Sequence, residues 1–201
     1  MAITTVFFDW GGVIAPDPQD DFLSSLLKQA GASDDQITNF FSSYMSRFTR
    51  GTLNTNGFWY LLKNTYQLSA PDDLTNTFAT WRGLNVADQL LTLVRDLKVR
   101  GFKVVLFTNV IEPSYDLIKQ AGYYDEFDEV IASCKVGFGK PDQEIYDIAL
   151  QKTHVTAEES LFVDDKQTFL DPAIRMGFTT ILATSSEQII RDVNAALLFS
   201  K

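Results

Sequence analysis

Apolar runs that end abruptly in polar or charged residues organise this chain. Val6-Phe7-Phe8 stops at Asp9 and turns through Trp10-Gly11-Gly12. Val104-Val105-Leu106-Phe107 ends at Thr108-Asn109, Val130-Ile131-Ala132 at Ser133 ahead of Lys140, and Leu161-Phe162-Val163 at Asp164-Asp165. Near-continuous apolar runs of this length predict strands buried on both faces, as in a parallel sheet covered by helices. Ligands of open parallel α/β sheets bind beyond the carboxyl ends of the strands. The four polar endings therefore predict one shared site.

Between the first strand and the rest, the period changes. From about Asp20 to Gly83 the pattern is helical, beginning with the stripe Phe22, Leu23, Leu26 and Leu27. Ser33-Asp34-Asp35-Gln36 reads as a capping box opening a second helix, which carries Ile37, Phe40, Phe41 and Tyr44. A third helix contains Phe58, Trp59, Leu61 and Leu62, and a fourth follows Pro71 through Leu74, Phe78 and Trp81. The aromatic residues here are expected mainly in the core of a helical bundle. Residues 17–83 thus predict a small helical insert, and residues 1–16 with 84–201 a three-layer α/β core.

Helix and strand alternate from Asn85 onward. A helix with Leu90, Leu91, Val94 and Leu97 precedes a strand over 102–107, then a helix over 113–121 and the Val130 strand. A helix over 141–153 follows, then a capping box at Thr156-Ala157-Glu158-Glu159 before a strand over 160–163. A helix over 171–176, a strand over 179–182 and a helix over 187–198 close the chain.

Composition narrows the class of function. The 201 residues are 45% hydrophobic with a formal net charge of -9, which argues against nucleic acid or an anionic membrane as partner. The single cysteine, Cys134, excludes an intramolecular disulfide and fits a reducing compartment. No run approaches the ~18 apolar residues of a membrane helix, and the N-terminus lacks the pattern of a signal peptide. A cytoplasmic protein is expected, as a monomer or homodimer.

The strand endings carry the chemistry. Asp9, on the edge between a buried strand and a glycine turn, is placed to attack phosphorus as a nucleophile, although an Asp after a strand is more commonly a turn or cap residue. Gly11 and Gly12 permit close backbone approach to a ligand, a property of any tight turn. Thr108 and Asn109 offer a hydroxyl, an amide and backbone N–H groups for phosphate oxygens. In Gly137-Phe138-Gly139-Lys140-Pro141-Asp142, Lys140 is either a solvated surface lysine ahead of a helix or is brought inward by the glycine-rich backbone, where it would offset repulsion between Asp9 and a phosphate. Asp164-Asp165 are either two solvated loop acids or, needing a compensating cation, oxygen ligands suited to magnesium. Trp10 walls the site entrance or packs beneath the insert. His154, the only histidine, is expected on the surface after its helix, and Cys134 in a small structural role.

In order and spacing these stretches resemble the haloacid dehalogenase superfamily, and Gly137–Asp142 with Glu144-Ile145-Tyr146 behind it is particularly characteristic. The insert sits where that family places its first-position cap, and Arg50-Gly51-Thr52-Leu53 with Phe58-Trp59 resembles the sugar-phosphatase and epoxide-hydrolase N-terminal-domain branch. The resemblance implies a Rossmann-like parallel sheet core with a mobile helical cap over a magnesium site. It implies Asp9 as nucleophile, with Thr108 and Lys140 as catalytic partners that also bind substrate; Asn109 and Trp10 are expected as further substrate contacts from their places at the strand ends. Metal contacts would come from Asp9, the Gly11 carbonyl and Asp165, with Asp164 second or supporting.

Two positions depart from the family. Gly11 stands where phosphatases usually carry an acid/base Asp, a type of group worth ~100- to 10,000-fold in rate. Phe169 stands where Asn is common, and the sequence assigns it no role. The expected activity is hydrolysis of small, sugar-phosphate-like metabolites through an aspartyl-phosphate. A catalytically weak or inactive binding protein on the same scaffold is the alternative that Gly11 favours. A dehalogenase is disfavoured by Gly11 and by the acidic pair.

Overall fold

Five parallel strands, β1 (Thr5–Phe8), β2 (Lys103–Thr108), β3 (Glu129–Ala132), β4 (Ser160–Asp164) and β5 (Thr179–Leu182), form one sheet in the order β3-β2-β1-β4-β5. The computed structural model describes residues 2–15, 24–25, 27–29, 31–67 and 84–198. The helices with complete bounds are α1 (Asp34–Thr49), α2 (Thr55–Tyr66), α3 (Asp88–Val99), α4 (Glu112–Gln120), α5 (Ser133–Val136), α6 (Gln143–Thr153), α7 (Gln167–Met176) and α8 (Ser186–Leu198).

Strand order reverses between β1 and β4, so the crevice that such sheets use for ligands opens at the ends of these two strands. Phe8 is level with Leu106 of β2 and Val163 of β4, which brings Asp9 beside the last residues of both neighbours. Side chains alternate strictly across the sheet. Val6, Phe8, Leu106 and Val163 join one apolar layer, and Phe7, Val105, Phe107 and Phe162 join the other. Such two-sided burial explains why the strands read as unbroken apolar runs.

Element boundaries depart from expectation where tertiary contacts intervene. Helix α6 starts at Gln143 and not at 141, because Asp142 is extended (ψ 138) as its N-cap. Helix α7 starts at Gln167, four residues before the expected 171, and carries Pro172 inside it. Burial of Leu170, Pro172 and Ala173 against the sheet outweighs the local preference of proline for a helix start. The short helix α5 and a 3₁₀ turn at Tyr123–Glu126 were not anticipated.

Helices α1 and α2 lie between β1 and α3 in the chain and build their own apolar cluster. Ser33 caps α1 by the expected reciprocal box with Gln36, and Asn54 caps α2. Phe40, Phe48, Phe58 and Leu62 are fully buried, and the Phe48 and Phe58 rings stack 4.1 Å apart. Of the expected first helix, 24–25 and 27–29 are helical. The expected fourth, with Leu74, Phe78 and Trp81, lies outside the described residues, as do the boundaries near residues 17 and 83.

The end of α1 docks on the α/β core. Ile111, which precedes α4, is buried within the α1–α2 cluster. The Ser133 hydroxyl accepts from the Val110 N–H (2.9 Å) and donates to the Thr49 carbonyl (2.6 Å). Arg50 reaches both carboxylate oxygens of Asp142 at 2.8 Å. Gly51, at φ +68, passes so close to the core that a Cβ there would meet the Cys134 carbonyl oxygen at 2.4 Å.

This approach yields a comparison within one protein. Gly101 has a similarly left-handed φ of +89 with no described residue within 4 Å of an added Cβ. Gly101→Ala should therefore cost only the conformational penalty, about 1–2 kcal/mol. Gly51→Ala should cost distinctly more in denaturant titrations, because the docking must also give way. Equal losses would mean that the close approach does not constrain the fold.

Candidate active site

Lys140 is the centre of the site. Its side chain is completely buried, with Nζ 2.5 Å from Asp164 Oδ2, 3.1 Å from Asp9 Oδ1 and 3.0 Å from the Phe107 carbonyl. Burial alone would lower its pKa, but the Asp9 and Asp164 carboxylates outweigh burial and hold it above the ordinary lysine value. Asn109 straps the lysine loop in place. Its Oδ1 accepts from the Lys140 N–H and its Nδ2 donates to the Lys140 carbonyl, both at 2.8 Å. Gly139 makes room for that amide, since a Cβ there would lie 3.2 Å from Asn109 Oδ1.

Asp9 leaves β1 with its N–H donated to the Val163 carbonyl of β4 (3.0 Å), and its side chain is almost wholly buried. Burial, with the Asp164 charge adding to it, pushes its pKa up to about 6 against the pull of Lys140. The turn then closes on itself: Gly12 N–H donates to Ala15 O and Ala15 N–H to Trp10 O, while Gly11 bridges Ala15. Gly12 carries the positive φ of this turn, +76, and a Cβ there would strike Asp165 Oδ2 at 2.3 Å. The second glycine is thus required twice, for backbone conformation and for room beside Asp165.

The acidic pair divides its labour. Asp164 is fully buried; its Oδ1 accepts from the Lys166 N–H (2.8 Å) while its Oδ2 is held by Lys140. Asp165 Oδ1 is buried and has no hydrogen-bond partner among the described residues. Burial and the Asp9 charge raise the Asp165 pKa above the usual carboxylate range. One oxygen from each of Asp9, Asp164 and Asp165 falls within 4.8 Å of the others. Three carboxylates against one buried ammonium leave a deficit that a divalent cation would neutralise, and the orphaned oxygen gives it an unsatisfied ligand.

Two expected substrate contacts are corrected. Trp10 does not wall the entrance: it is 3% exposed and packs against Tyr123 and Tyr124 in the core. The Asn109 amide is consumed by the Lys140 backbone and is not free for phosphate. Thr108 is buried, and its hydroxyl makes a long 3.5 Å contact with the Asn109 carbonyl. His154 is exposed at the end of α6. Burial pushes the Cys134 thiol up to about 12, which removes it as a nucleophile. Sequence reasoning missed the strap by Asn109, the Phe107 carbonyl and the rings around Lys140.

A family model for haloacid dehalogenase-like hydrolases matches residues 3–177. The chain belongs to the haloacid dehalogenase-like hydrolases. A sesquiterpene phosphatase of Aspergillus oryzae is 32% identical over 183 residues, covering 89% of each chain. Among solved structures, a HAD-like family hydrolase from Porphyromonas gingivalis superposes with a TM-score of 0.83 at 20% identity, covering 98% of each chain. A HAD family enzyme from Bacteroides thetaiotaomicron, complexed with magnesium and inorganic phosphate, gives 0.77 at 17% identity, covering 90% of this chain and 94% of its own. These two likenesses concern the fold. Among the described residues of this hydrolase, no helix is long and apolar enough to cross a membrane.

The raised acids make the metal-free hydrolase sensitive to pH. An acid whose folded pKa lies above its unfolded value favours the fold below the unfolded pKa, and that support is lost as pH rises through the folded value. For Asp9 the window runs from 3.8 to about 6. With chelator present, the melting temperature of the wild type should fall as pH rises from about 4 to about 6, and Asp9→Asn should flatten that slope. Parallel slopes for the two proteins would show that the Asp9 charge is not under strain.

Proposed function

We propose that the chain is a magnesium-dependent phosphatase of small phosphorylated metabolites, working through an aspartyl-phosphate on Asp9. The observation that carries this reading is the buried Lys140 between Asp9 and Asp164, with an unpartnered Asp165 oxygen beside them. The phosphatase named among its relatives and the magnesium and phosphate bound by the Bacteroides enzyme support it. Asp9, Asp165 and the Gly11 carbonyl would hold the cation. Asp164 keeps Lys140 and the following turn in place, since both its oxygens are already engaged.

A bound divalent cation supplies positive charge to phosphate oxygens and favours the ionised forms of its carboxylate ligands. Asp9 attacks phosphorus, forming the P–Oδ bond as the bond to the leaving-group oxygen breaks. Lys140 neutralises the Asp9 carboxylate so that it meets a phosphate dianion without prohibitive repulsion. The hydroxyl of Thr108, the last residue of β2, donates to a phosphate oxygen. Water then attacks phosphorus as the P–Oδ bond breaks, restoring Asp9 and releasing inorganic phosphate; the proton that water sheds goes to solvent, from which the departing oxygen takes its own. The segment 17–83 acts as the helical cap, with Arg50 and Thr49 closing it on the core.

With glycine at position 11, no side chain there protonates the departing oxygen, so rate should follow leaving-group stability. Across an aryl-to-alkyl phosphate series, wild-type turnover should fall steeply with rising leaving-group pKa. A flat series would remove Gly11 as the limiting feature and leave the phosphatase reading intact.

The reading itself is tested by phosphate release from a panel of phosphorylated metabolites with magnesium or chelator. Turnover should require magnesium and vanish in Asp9→Asn, while Asp165→Ala should weaken calorimetric magnesium binding more than Asp164→Ala. Magnesium-independent turnover, or turnover that survives Asp9→Asn, would overturn the assignment. Phosphate binding without hydrolysis of any substrate would instead establish the binding-protein alternative favoured by Gly11.

A further inference from the structure

The ammonium of Lys140 is enclosed by rings as well as by oxygens. Nζ lies 5.2 Å from the Phe107 ring centroid, 5.1 Å from Phe162 and 5.2 Å from Phe169. A cation within about 6 Å of a ring centroid is attracted by the negative face of the π-system, and more strongly where water is excluded. Phe107 and Phe162 are core residues of β2 and β4 whose burial the sheet alone would require. Phe169 is different. It stands in the first turns of α7, is only half-buried, and forms the part of the enclosure nearest solvent.

We propose that Phe169 is a positioning residue for Lys140, a ring that seals the ammonium from water and leaves it directed at Asp9, Asp164 and the Phe107 carbonyl. The inference rests on the reading above that Lys140 serves Asp9 in the chemical step. The three donors of an ammonium each have a protein oxygen within 3.1 Å here. A hydrogen-bonding side chain at 169 would have to compete for one of them. An aromatic face needs no donor, and by excluding water it lowers the local dielectric and strengthens both ion pairs.

Phe169 is itself held. The buried Tyr146 donates its hydroxyl to the Phe169 carbonyl at 2.6 Å, and the Phe169 N–H donates to the Lys166 carbonyl at 2.9 Å. Lys166 Nζ lies 5.6 Å from the same ring, so two ammonium groups flank it.

The test uses two variants and two readouts. Phe169→Leu leaves a smaller apolar side chain that covers the ammonium less completely and has no π face; Phe169→Tyr keeps the ring. In metal-free protein, NMR of the Lys140 ammonium should show upfield-shifted, slowly exchanging protons. Exchange should accelerate about tenfold or more in Phe169→Leu and stay near wild type in Phe169→Tyr. With magnesium and p-nitrophenyl phosphate, Phe169→Leu should lower kcat about tenfold with KM within about twofold, and Phe169→Tyr should restore kcat. Unchanged ammonium exchange in Phe169→Leu would overturn the proposal. Equal loss of kcat in both variants, with parallel losses in melting temperature, would overturn it in favour of plain packing. Asp9→Asn assayed alongside separates the two readings: turnover surviving there defeats the phosphatase assignment, while ammonium exchange still decides the role of Phe169.

Discussion

The site depends on a lysine buried between two aspartates. A lone ammonium inside a protein costs several kcal/mol to desolvate, and Lys140 is tolerated because Asp9, Asp164 and the Phe107 carbonyl surround it. Those partners come from the ends of three adjacent strands, so the ion pair sets their relative positions as much as they set its own. A buried pair adds little net stability compared with apolar packing, but removing one member leaves an uncompensated charge. Its contribution is geometric, and the rest of the site is arranged around it. Asn109 clamps the lysine backbone, Gly139 makes room for that clamp, and aromatic rings shield the ammonium.

The same crowding explains the acids. Asp9, Asp164 and Asp165 are all driven above the usual carboxylate range, with burial as the leading cause. A site that holds three carboxylates near one ammonium sacrifices stability for a concentrated negative field, as functional sites commonly do. Gly12 makes this possible locally: any side chain would drive Asp165 away, and the left-handed turn would resist it as well.

The helical segment is joined to the core by a mixture of contacts. Ile111 enters its apolar cluster, Ser133 links Val110 to Thr49, and Arg50 pairs with Asp142, two residues after Lys140. A half-exposed ion pair of this kind is worth roughly 0–1 kcal/mol. The ion pair is therefore a weak tie, and it stands beside the buried Ile111 and the short Ser133–Thr49 hydrogen bond. The Arg50–Asp142 pair also ties the helical segment to the loop that carries Lys140.

Sequence alone determined the α/β alternation, the placement of a helical segment after the first strand, and the strand endings that bear Asp9, Thr108, Asp164 and Asp165. These are legible because two-sided burial leaves unbroken apolar runs, and capping boxes such as Ser33–Gln36 are written in neighbouring residues. Tertiary structure alone decided how those residues are used. Trp10 turned into the core because Tyr123 and Tyr124 are there to receive it, and Asn109 was claimed by a backbone 31 residues away. Asp164 and Asp165 are adjacent in sequence but differ in role, since one points at Lys140 and the other is left with an unsatisfied oxygen. The helix that presents Phe169 to Lys140 began four residues earlier than its local pattern predicts, because burial against the sheet overrode proline. Contacts of this kind depend on strand register and on the facing of side chains between distant elements, and no local periodicity records them.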